Sequence, residues 1–203
     1  LHLIELWLKS PTYEDGQFKG GKKQKVGTPQ GGVISPLLAN IYMNLVDKLI
    51  NNTLGIFYKQ GIKIVRYADD FVLMGKRIPK EAIDKLGSIL SRMGLRLNEQ
   101  KTRHIQAMDT SFNFLGFTIR YDVDVHGRNK RYWNIIPSNK SVTKIREKLR
   151  DFLKHSGHCD PPNVAKGLNT IMRGWLNYFD VPKVSYPTMS KRNLRAYLVE
   201  SLY

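Results

Sequence analysis

Apolar residues recur along the chain with two periods, one typical of strands and the other typical of helices. Short apolar runs and alternating positions predict strands at residues 62–65, 71–73, 95–98, 112–119 and 132–136. Spacings of three and four residues predict helices at 1–9, 36–49, 79–93, 141–154, 163–179 and 187–203. Only helices follow Pro137. The pattern therefore predicts an α+β fold, with an antiparallel sheet and packed helices at 1–136 and a small all-helical domain at 137–203.

The clearest hairpin pattern joins the strands predicted at 62–65 and 71–73. Asp69 and Asp70 lie at or beside its polar tip. Adjacent residues of a strand point to opposite faces, but at a turn both carboxylates can reach one region. Mg²⁺ binds one or two carboxylates and keeps its other positions for water and substrate phosphates. The sequence therefore makes Asp69 and Asp70 a candidate magnesium site.

The same Asp-Asp pair also fits an ordinary turn, because aspartate tolerates turn geometry. Here, however, two like charges lie beside apolar strands, and a bound cation would remove their mutual repulsion. In phosphoryl transfer, two such ions about 3.5–4 Å apart clamp the attacking and leaving oxygens. A plain turn and a two-metal site are thus the two interpretations of this pair.

A glycine-containing loop at residues 27–32 leads into the helix predicted at 36–49. Its glycines would allow a ligand to approach the main chain closely, and its proline restricts the backbone path. Ser35 is a favourable N-cap and Pro36 a favourable first helical residue, so we expect a buried helix to begin there. A plain loop with a helix cap is the alternative. The polar residues 11–25 before it predict an exposed loop or a short hairpin.

The net charge of the chain indicates which classes of partner it can bind. The 203 residues are 41% hydrophobic and 25% charged, as in a globular protein, and carry a net charge of +16. Such an excess predicts attraction to polyanions, above all nucleic acid. The sequence has no long helix with one cationic and one strongly apolar face, and no apolar run near the ~20 residues of a membrane span. We therefore expect no membrane partner.

The single cysteine, Cys159, excludes an internal disulfide framework and a zinc cluster built from cysteines. We expect a reduced thiol and a cytoplasmic location. No signal-peptide pattern is visible. The sequence opens with Leu1, within a predicted helix, so we expect it to be a piece of a longer protein.

The C-terminal part is the most basic, since residues 128–203 hold 15 Lys and Arg against five Asp and Glu. The helix predicted at 141–154 is amphipathic, and four basic side chains are expected on its exposed face: Lys144, Arg146, Lys148 and Arg150. These charges suit a clamp on a nucleic-acid backbone, or alternatively an ordinary solvated face. Three aromatic residues of the next helix follow helical spacing and are expected in the core: Trp175, Tyr178 and Phe179.

Four motifs, in order and with matching spacing, resemble the reverse transcriptases encoded by bacterial group II introns. They are GTPQGG with ISPLLAN at 27–40, YADD at 67–70, LN with KT at 97–102, and FLGF at 114–117. The tail, LN followed by RGWLNYF at 168–179, resembles the maturase or thumb region of that family. Nearly the whole chain is covered by this resemblance.

The resemblance implies a palm up to residue 136 and a helical thumb after it. It implies an RNA-directed DNA polymerase, in which a DNA primer's 3′-hydroxyl attacks the α-phosphate of a dNTP on an RNA template. Asp69 and, less directly, Asp70 would bind two Mg²⁺ ions and carry catalysis. Further implied contacts are, to nucleotide and template, Pro29, Gln30, Gly31, Gly32, Tyr67, Ala68 and Lys101, and, to the primer strand, Leu115 and Gly116.

The chain also departs from the family pattern. The family has a further metal-binding aspartate on an earlier palm strand, followed by an aromatic residue that excludes ribonucleotides. Both would precede Leu1, and neither Asp15 in a polar loop nor Asp47 in a helix fills that role. We therefore expect these 203 residues alone not to polymerise DNA.

Two alternatives to an intron-encoded polymerase stay open. One is an RNA-binding maturase that assists the splicing of a group II intron RNA. The other is a stand-alone or CRISPR-linked reverse transcriptase of the same lineage. An RNA-copying RNA polymerase also uses paired aspartates, but the surrounding motifs fit it poorly.

Overall fold

The computed structural model describes residues 2–14, 16–20, 32–124 and 130–202. The chain divides into two compact units, residues 1–102 and residues 103–203. Both units combine helices with antiparallel strands, which agrees with the predicted α+β class. The last three strands belong to the same unit as the C-terminal helices. The domain boundary after residue 136 stays a prediction.

The first unit contains four helices and two separate hairpins within its described residues. In chain order these are α1 (His2–Leu8), β1 (Pro11–Glu14), β2 (Gln17–Gly20), α2 (Ser35–Ile50), α3 (Ile56–Lys59), β3 (Lys63–Tyr67), β4 (Asp70–Met74) and α4 (Lys80–Arg92). Strand β1 pairs with β2, and β3 pairs with β4. The segment predicted as a loop or short hairpin thus forms a hairpin through Gly20.

The core of this unit lies between α2, α3, α4 and the β3–β4 hairpin. Its buried side chains are apolar: Val46, Ile50, Phe57, Ile62, Ala82, Leu86 and Leu90. Leu95 and Leu97 pack against the same core. The strand predicted at 95–98 is wrong, because these residues alternate to fill the core without pairing with a neighbouring strand.

Two expectations about α2 are also wrong. The helix begins at Ser35, and Ile34 occupies the N-cap position that was assigned to Ser35. Only Val46 and Ile50 of this helix are buried among the described residues, whereas Ile41 and Leu45 are exposed. The core of the unit covers one face of α2, so the apolar pattern on its other face does not correspond to burial within the described residues.

The second unit consists of a three-stranded antiparallel sheet and three helices among its described residues. They are β5 (Phe112–Phe114), β6 (Phe117–Val123), β7 (Arg131–Pro137), α5 (Asn139–His155), α6 (Pro161–Phe179) and α7 (Thr188–Leu202). The strand order is β5-β6-β7. The single strand predicted at 112–119 is wrong, because a turn at Leu115 and Gly116 divides it into β5 and β6.

The core of the second unit joins the three helices to the sheet. The buried residues are Ile145, Leu149, Leu168, Trp175, Phe179 and Leu194. Phe117 of β6 packs against Tyr178 and Phe179 of α6, with ring centroids 5.7 and 4.9 Å apart. Helices α5 and α6 approach closely at Gly167, where a Cβ would lie 2.1 Å from Cζ of Phe152. A side chain at Gly167 would therefore require the Phe152 ring to move.

Two side-chain expectations in the helices need correction. Arg146 is partly buried rather than exposed, because its guanidinium lies over the ring of Tyr197 at 5.4 Å. Tyr178 is 52% exposed rather than in the core. Trp175 and Phe179 are buried, as predicted.

Candidate active site

The predicted hairpin around residues 67–70 is confirmed. Strands β3 and β4 pair antiparallel, and the last pair joins Tyr67 to Asp70. Ala68 and Asp69 therefore form a two-residue turn. Turns of this length are the commonest connection in hairpins. Asp69 lies in the turn itself, and Asp70 is the first residue of the strand that leaves it.

The two faces of this hairpin differ. Ile64, Phe71 and Leu73 pack against the core of the unit. Because successive strand residues alternate between faces, Tyr67 and its partner Asp70 belong to the opposite face. Tyr67 is 66% exposed, and Asp69 and Asp70 are exposed too. The structure thus places one aspartate in the turn and the other beside it on the open face.

The turn has an unfavourable backbone conformation. Ala68 has φ of +53°, a region that residues with a Cβ rarely occupy. Its carbonyl oxygen accepts a hydrogen bond from Nη1 of Arg66 at 2.8 Å. The Ala68 carbonyl is part of the peptide that connects Ala68 to Asp69. The bond from Arg66 therefore fixes the peptide plane immediately before the turn aspartate.

Arg66 is itself held by helix α2. Its Nε donates to both carboxylate oxygens of Asp47 at 3.0 and 3.1 Å, and its Nη2 donates to Oδ2 at 2.6 Å. Nη1 also donates to Oδ1 of Asn40 at 3.0 Å. The hydrogen bond with Asp47 is the main reason that the pKa of Arg66 lies above its ordinary value, although burial opposes the rise. The guanidinium is therefore charged at every ordinary pH.

Sequence reasoning missed this contribution of Arg66, Asp47 and Asn40. One signal was present: Arg66 occupies a position on β3 that alternation assigns to the core face, next to Ile64. A charged residue at such a position needs a buried partner. The identity of that partner was not available from spacing, because Asp47 lies 19 residues earlier in the chain.

The chemistry of the two turn aspartates fits Mg²⁺ in part. Their carboxylate oxygens are hard ligands, and neither carboxylate forms a hydrogen bond or ion pair with another described residue. Both are therefore free to bind a cation. Among the described residues, however, no group of three or more His, Cys, Asp or Glu side chains lies close enough together to hold a metal. The described part of the chain supplies two carboxylates and no third acidic ligand.

A second candidate region lies in the other unit, around the turn between β5 and β6. Leu115 has φ of +49° and Gly116 has φ of +80°, as a type I′ hairpin turn requires. The Leu115 carbonyl accepts a hydrogen bond from the Tyr178 hydroxyl at 2.9 Å. The Gly116 carbonyl accepts bonds from the Ser138 amide at 2.9 Å and the Ser141 hydroxyl at 2.8 Å. Helices α5 and α6 thus hold both carbonyls.

Beside this turn is an open cleft of about 290 Å³. Its lining combines the turn with the first two turns of α5: Asn113, Phe114, Leu115, Gly116, Ser138, Lys140, Ser141 and Lys144. The structure therefore brings together Leu115, Gly116 and Lys144, which sequence reasoning had assigned separately to the primer strand and to the nucleic-acid backbone. Lys140 is a further basic residue that the sequence reasoning missed.

The remaining site residues are placed individually. Lys148 and Arg150 are exposed on α5 and do not line the cleft. Lys101 is exposed in a turn that Asn98 caps, with the Asn98 side chain accepting from the Lys101 amide at 3.2 Å. Gly32 lies shortly before α2. Three assigned residues lie outside the described part of the chain: Pro29, Gln30 and Gly31.

Comparison with protein families gives two matches along the chain. Residues 1–119 match the reverse transcriptase (RNA-dependent DNA polymerase) family. Residues 142–199 match the maturase-specific domain of group II introns. The chain belongs to the family of group II intron reverse transcriptases and maturases. The carboxylate turn lies within the reverse transcriptase match, and Lys144 lies within the maturase match.

Individual relatives agree with this assignment. The Escherichia coli protein YkfC is 31% identical over 168 residues, which cover 67% of this chain and 43% of YkfC. An uncharacterised 91 kDa protein in the cob intron of Schizosaccharomyces pombe is 24% identical over 225 residues, covering 76% of this chain and 28% of that protein. The group II intron-encoded protein LtrA of Lactococcus lactis is 48% identical over 48 residues, 24% of this chain and 8% of LtrA. The chain therefore spans less than half of the length of these relatives.

None of the helices in the described ranges is both long enough and apolar enough to cross a membrane.

Proposed function

We propose that this chain is the palm and thumb portion of an RNA-directed DNA polymerase encoded by a group II intron. The observation that carries the proposal is the β3–β4 turn, where two exposed carboxylates, neither bonded to another described residue, lie on an anchored hairpin within the reverse transcriptase match. The open face around Tyr67 and Asp70 leaves room for a nucleic-acid strand to approach. The substrates are an RNA template, a DNA primer and a dNTP.

In the proposed reaction, the oxygen of the primer's 3′-hydroxyl attacks the α-phosphorus of the dNTP. A new phosphorus–oxygen bond forms, the bond to pyrophosphate breaks, and the hydroxyl proton leaves to water or a nearby base. Asp69 and Asp70 would hold two Mg²⁺ ions, which supply charge neutralisation at the attacking and leaving oxygens. A further aspartate from outside this chain is needed to complete the site.

Other residues in the first unit would orient the substrates. Tyr67 and Ala68 would border the primer end, since they flank Asp69 on the open side of the hairpin. Lys101 would neutralise phosphates of the nucleotide, because its ammonium is an exposed charge on an ordered turn. The loop residues would border the nucleotide and its template base: Pro29, Gln30, Gly31 and Gly32.

The cleft of the second unit would hold the primer strand. Leu115 and Gly116 present a backbone surface that cannot shift easily, because both carbonyls are already bonded to α5 and α6. Lys144 would pair with a phosphate beside this surface, and Lys148 and Arg150 would contact the backbone farther along α5. Such contacts fix position without reading sequence.

A second function is supported by a separate observation. The match to the maturase-specific domain over residues 142–199 favours binding of intron RNA by the basic helices and assistance in its splicing. One protein can carry both functions. We propose the polymerase as the function of the carboxylate turn and RNA binding as the function of the helical region.

Primer extension on an RNA template by the full-length parent protein tests the proposal. Asp69→Ala is expected to lower the rate about a thousandfold or more, the effect of removing a ligand from metal-assisted phosphoryl transfer. Asp84→Ala, at an exposed position of α4, is the matched control and should keep the rate. Full extension by the Asp69→Ala protein would contradict the polymerase assignment. Splicing still stimulated by the Asp69→Ala, Asp70→Ala protein would place the RNA-binding function elsewhere in the chain.

The 203-residue chain alone is expected not to extend a primer, because its described residues offer no third acidic ligand near Asp69 and Asp70. Extension by this chain that Asp69→Ala abolishes would show that two carboxylates suffice.

A further inference from the structure

The feature behind this inference is the guanidinium of Arg66, which connects helix α2 to the carboxylate turn. We propose that Arg66 is a positioning residue for Asp69, held in place by Asp47 and Asn40. The inference rests on the proposed function, since it assigns Arg66 a role in the reaction at that turn. Arg66 itself points to the core face of the hairpin and does not touch the open face where substrates would bind.

The hydrogen bond from Arg66 restrains the backbone immediately before Asp69. Nη1 holds the carbonyl of the peptide between Ala68 and Asp69, and this peptide sets the direction in which the Asp69 side chain leaves the backbone. Ala68 has φ of +53°, so the turn would gain by relaxing to another conformation. A rigid donor at 2.8 Å opposes that relaxation. The direction in which the Cα–Cβ bond of Asp69 leaves the backbone is thereby restrained.

Arginine is the side chain whose donors can reach both the helix and the turn. The planar guanidinium uses Nε and Nη2 on the Asp47 carboxylate and turns Nη1 toward Asn40 and Ala68. This division is possible because arginine presents donors in a fixed fork. A lysine would keep the charge next to Asp47, but it could not span both the carboxylate and the turn carbonyl in this geometry. Helix α2 thus holds the Arg66 guanidinium in place, and the guanidinium in turn holds the turn carbonyl.

The positioning role of Arg66 can be separated from its contribution to stability. The Arg66 side chain is 11% exposed and that of Asp47 is 28% exposed, so the pair is largely buried. Buried ion pairs replaced by apolar residues of similar volume often leave stability unchanged or higher. The neighbouring core-facing positions, Ile64 and Phe71, are apolar. An apolar pair could therefore fill the space of Arg66 and Asp47 without the hydrogen bond to the turn.

The test uses the full-length parent protein with Asp47→Leu and Arg66→Met combined. We expect the thermal midpoint to stay within a few degrees of wild type, while kcat for primer extension falls about 10- to 100-fold, as misplacement by about 1 Å causes. The KM for primer and template should stay within about twofold, since the open face is unchanged. The Mg²⁺ concentration for half-maximal rate should rise, because a mobile Asp69 binds the ion less well. Arg92→Met removes an exposed arginine from α4 and is the control.

A wild-type kcat and Mg²⁺ requirement in the folded double variant would overturn the inference. If the double variant does not fold, Arg66→Lys decides, because it keeps a charge beside Asp47 and loses the fork. It is expected to fold and to lose at least about tenfold in kcat, and a wild-type kcat would overturn the inference. These outcomes are distinct from failure of the proposed function, in which Asp69→Ala would itself remain active.

Discussion

The two candidate turns of this chain are built alike, but different kinds of side chain hold them in place. Each is a two-residue hairpin turn that begins with a non-glycine residue at positive φ, Ala68 in one and Leu115 in the other. In each, side-chain donors bind the turn carbonyls. The β3–β4 turn depends on one charged donor, Arg66, that an ion pair fixes. The β5–β6 turn depends on neutral donors from two helices.

The different donors at the two turns correspond to different groups that stay accessible, side chains at the first turn and backbone at the second. Around Ala68, a single guanidinium restrains the backbone from the core face, so the carboxylates on the other side keep no partner among the described residues. Around Leu115 and Gly116, hydroxyl and amide donors together with the rings of Phe117 and Phe179 restrain the turn tightly. The first arrangement suits cation chemistry at side chains, and the second suits a fixed backbone surface. We therefore expect substitutions at the two turns to act on different properties of the protein.

The largest effect is expected from removing charge at the first turn without changing its shape. Asp69→Asn in the parent protein should lower the single-turnover rate of primer extension about a thousandfold or more, because the amide does not replace a carboxylate ligand. Stability should be unchanged or slightly higher, because repulsion with Asp70 disappears. Asp84→Asn is the control. A rate within tenfold of wild type would show that the charge at this turn is not used.

The second largest effect is expected on stability, when only the arginine of the Arg66–Asp47 ion pair is removed. Arg66→Met alone leaves the Asp47 carboxylate largely buried and without its partner, so the free energy of unfolding should fall by about 2–3 kcal/mol. Adding Asp47→Leu should restore most of this loss. Urea unfolding of the single and double variants measures both steps. Single and double variants of equal stability would mean that the Asp47 charge is solvated in the structure.

The third effect is expected on stability at the β5–β6 turn, whose hydrogen-bond donors are uncharged. Gly116→Ala should lower the free energy of unfolding by about 1–2 kcal/mol, because φ is +80° and the new Cβ would lie 3.0 Å from Oγ of Ser141. The same substitution in a Ser141→Ala background should cost less, since the steric part of the penalty is relieved. Unfolding in urea gives the four values of this cycle. If the effects of Gly116→Ala and Ser141→Ala on the free energy of unfolding are simply additive, the whole loss at Gly116→Ala comes from the backbone conformation.

The fourth effect is on nucleic-acid binding by the second unit. Lys144→Ala, Lys148→Ala and Arg150→Ala should each weaken binding of an RNA–DNA duplex about equally for all sequences, because phosphate contacts carry no base information. The slope of log K against log salt should become shallower by about 0.7–0.9 for each phosphate that the variant no longer neutralises. Lys85→Ala on α4 is the control. An unchanged slope would mean that these three charges only face water.

The smallest expected effect is the dependence of the Arg66 contribution to stability on pH. The pKa of Arg66 is raised in the folded protein by its bond to Asp47, so the stability that it contributes is present below its unfolded pKa and is lost only as pH rises through the higher folded value. The difference in unfolding free energy between Arg66→Met and wild type should therefore be constant between about pH 6 and pH 10. A difference that decreases within this range would assign the effect to another titrating group.

Local patterns predicted the first turn well and the second poorly. The arms of the β3–β4 hairpin are apolar and its tip is polar, so the turn is visible in the sequence. Residues 112–119 read as one apolar strand, because nothing local indicates that Leu115 adopts a positive φ. Tyr178, whose hydroxyl binds the Leu115 carbonyl, is 63 positions away. The hydrogen bonds that hold Arg66 were missed for the same reason, since Asp47 and Asn40 come within reach of Arg66 only in the folded unit.

Apolar spacing also gave two wrong expectations that have a common cause. The alternation at 95–98 and the apolar face of α2 at Ile41 and Leu45 were interpreted as a strand and as a buried face. Periodicity indicates which side chains share a face, but it does not indicate what covers them. Leu95 and Leu97 pack on the core without a partner strand, and the outer face of α2 is exposed in the described part of the chain.

The packing of Phe117 on Tyr178 and Phe179 has a consequence for how the two matched regions are related. Phe117 belongs to the reverse transcriptase match, whereas both partners belong to the maturase match. The aromatic rings of the two regions therefore share a single interior, and the border between homologous segments passes through it. All three residues lie in the same compact unit, so cutting the chain between residues 119 and 142 would expose apolar surface on both sides of the cut.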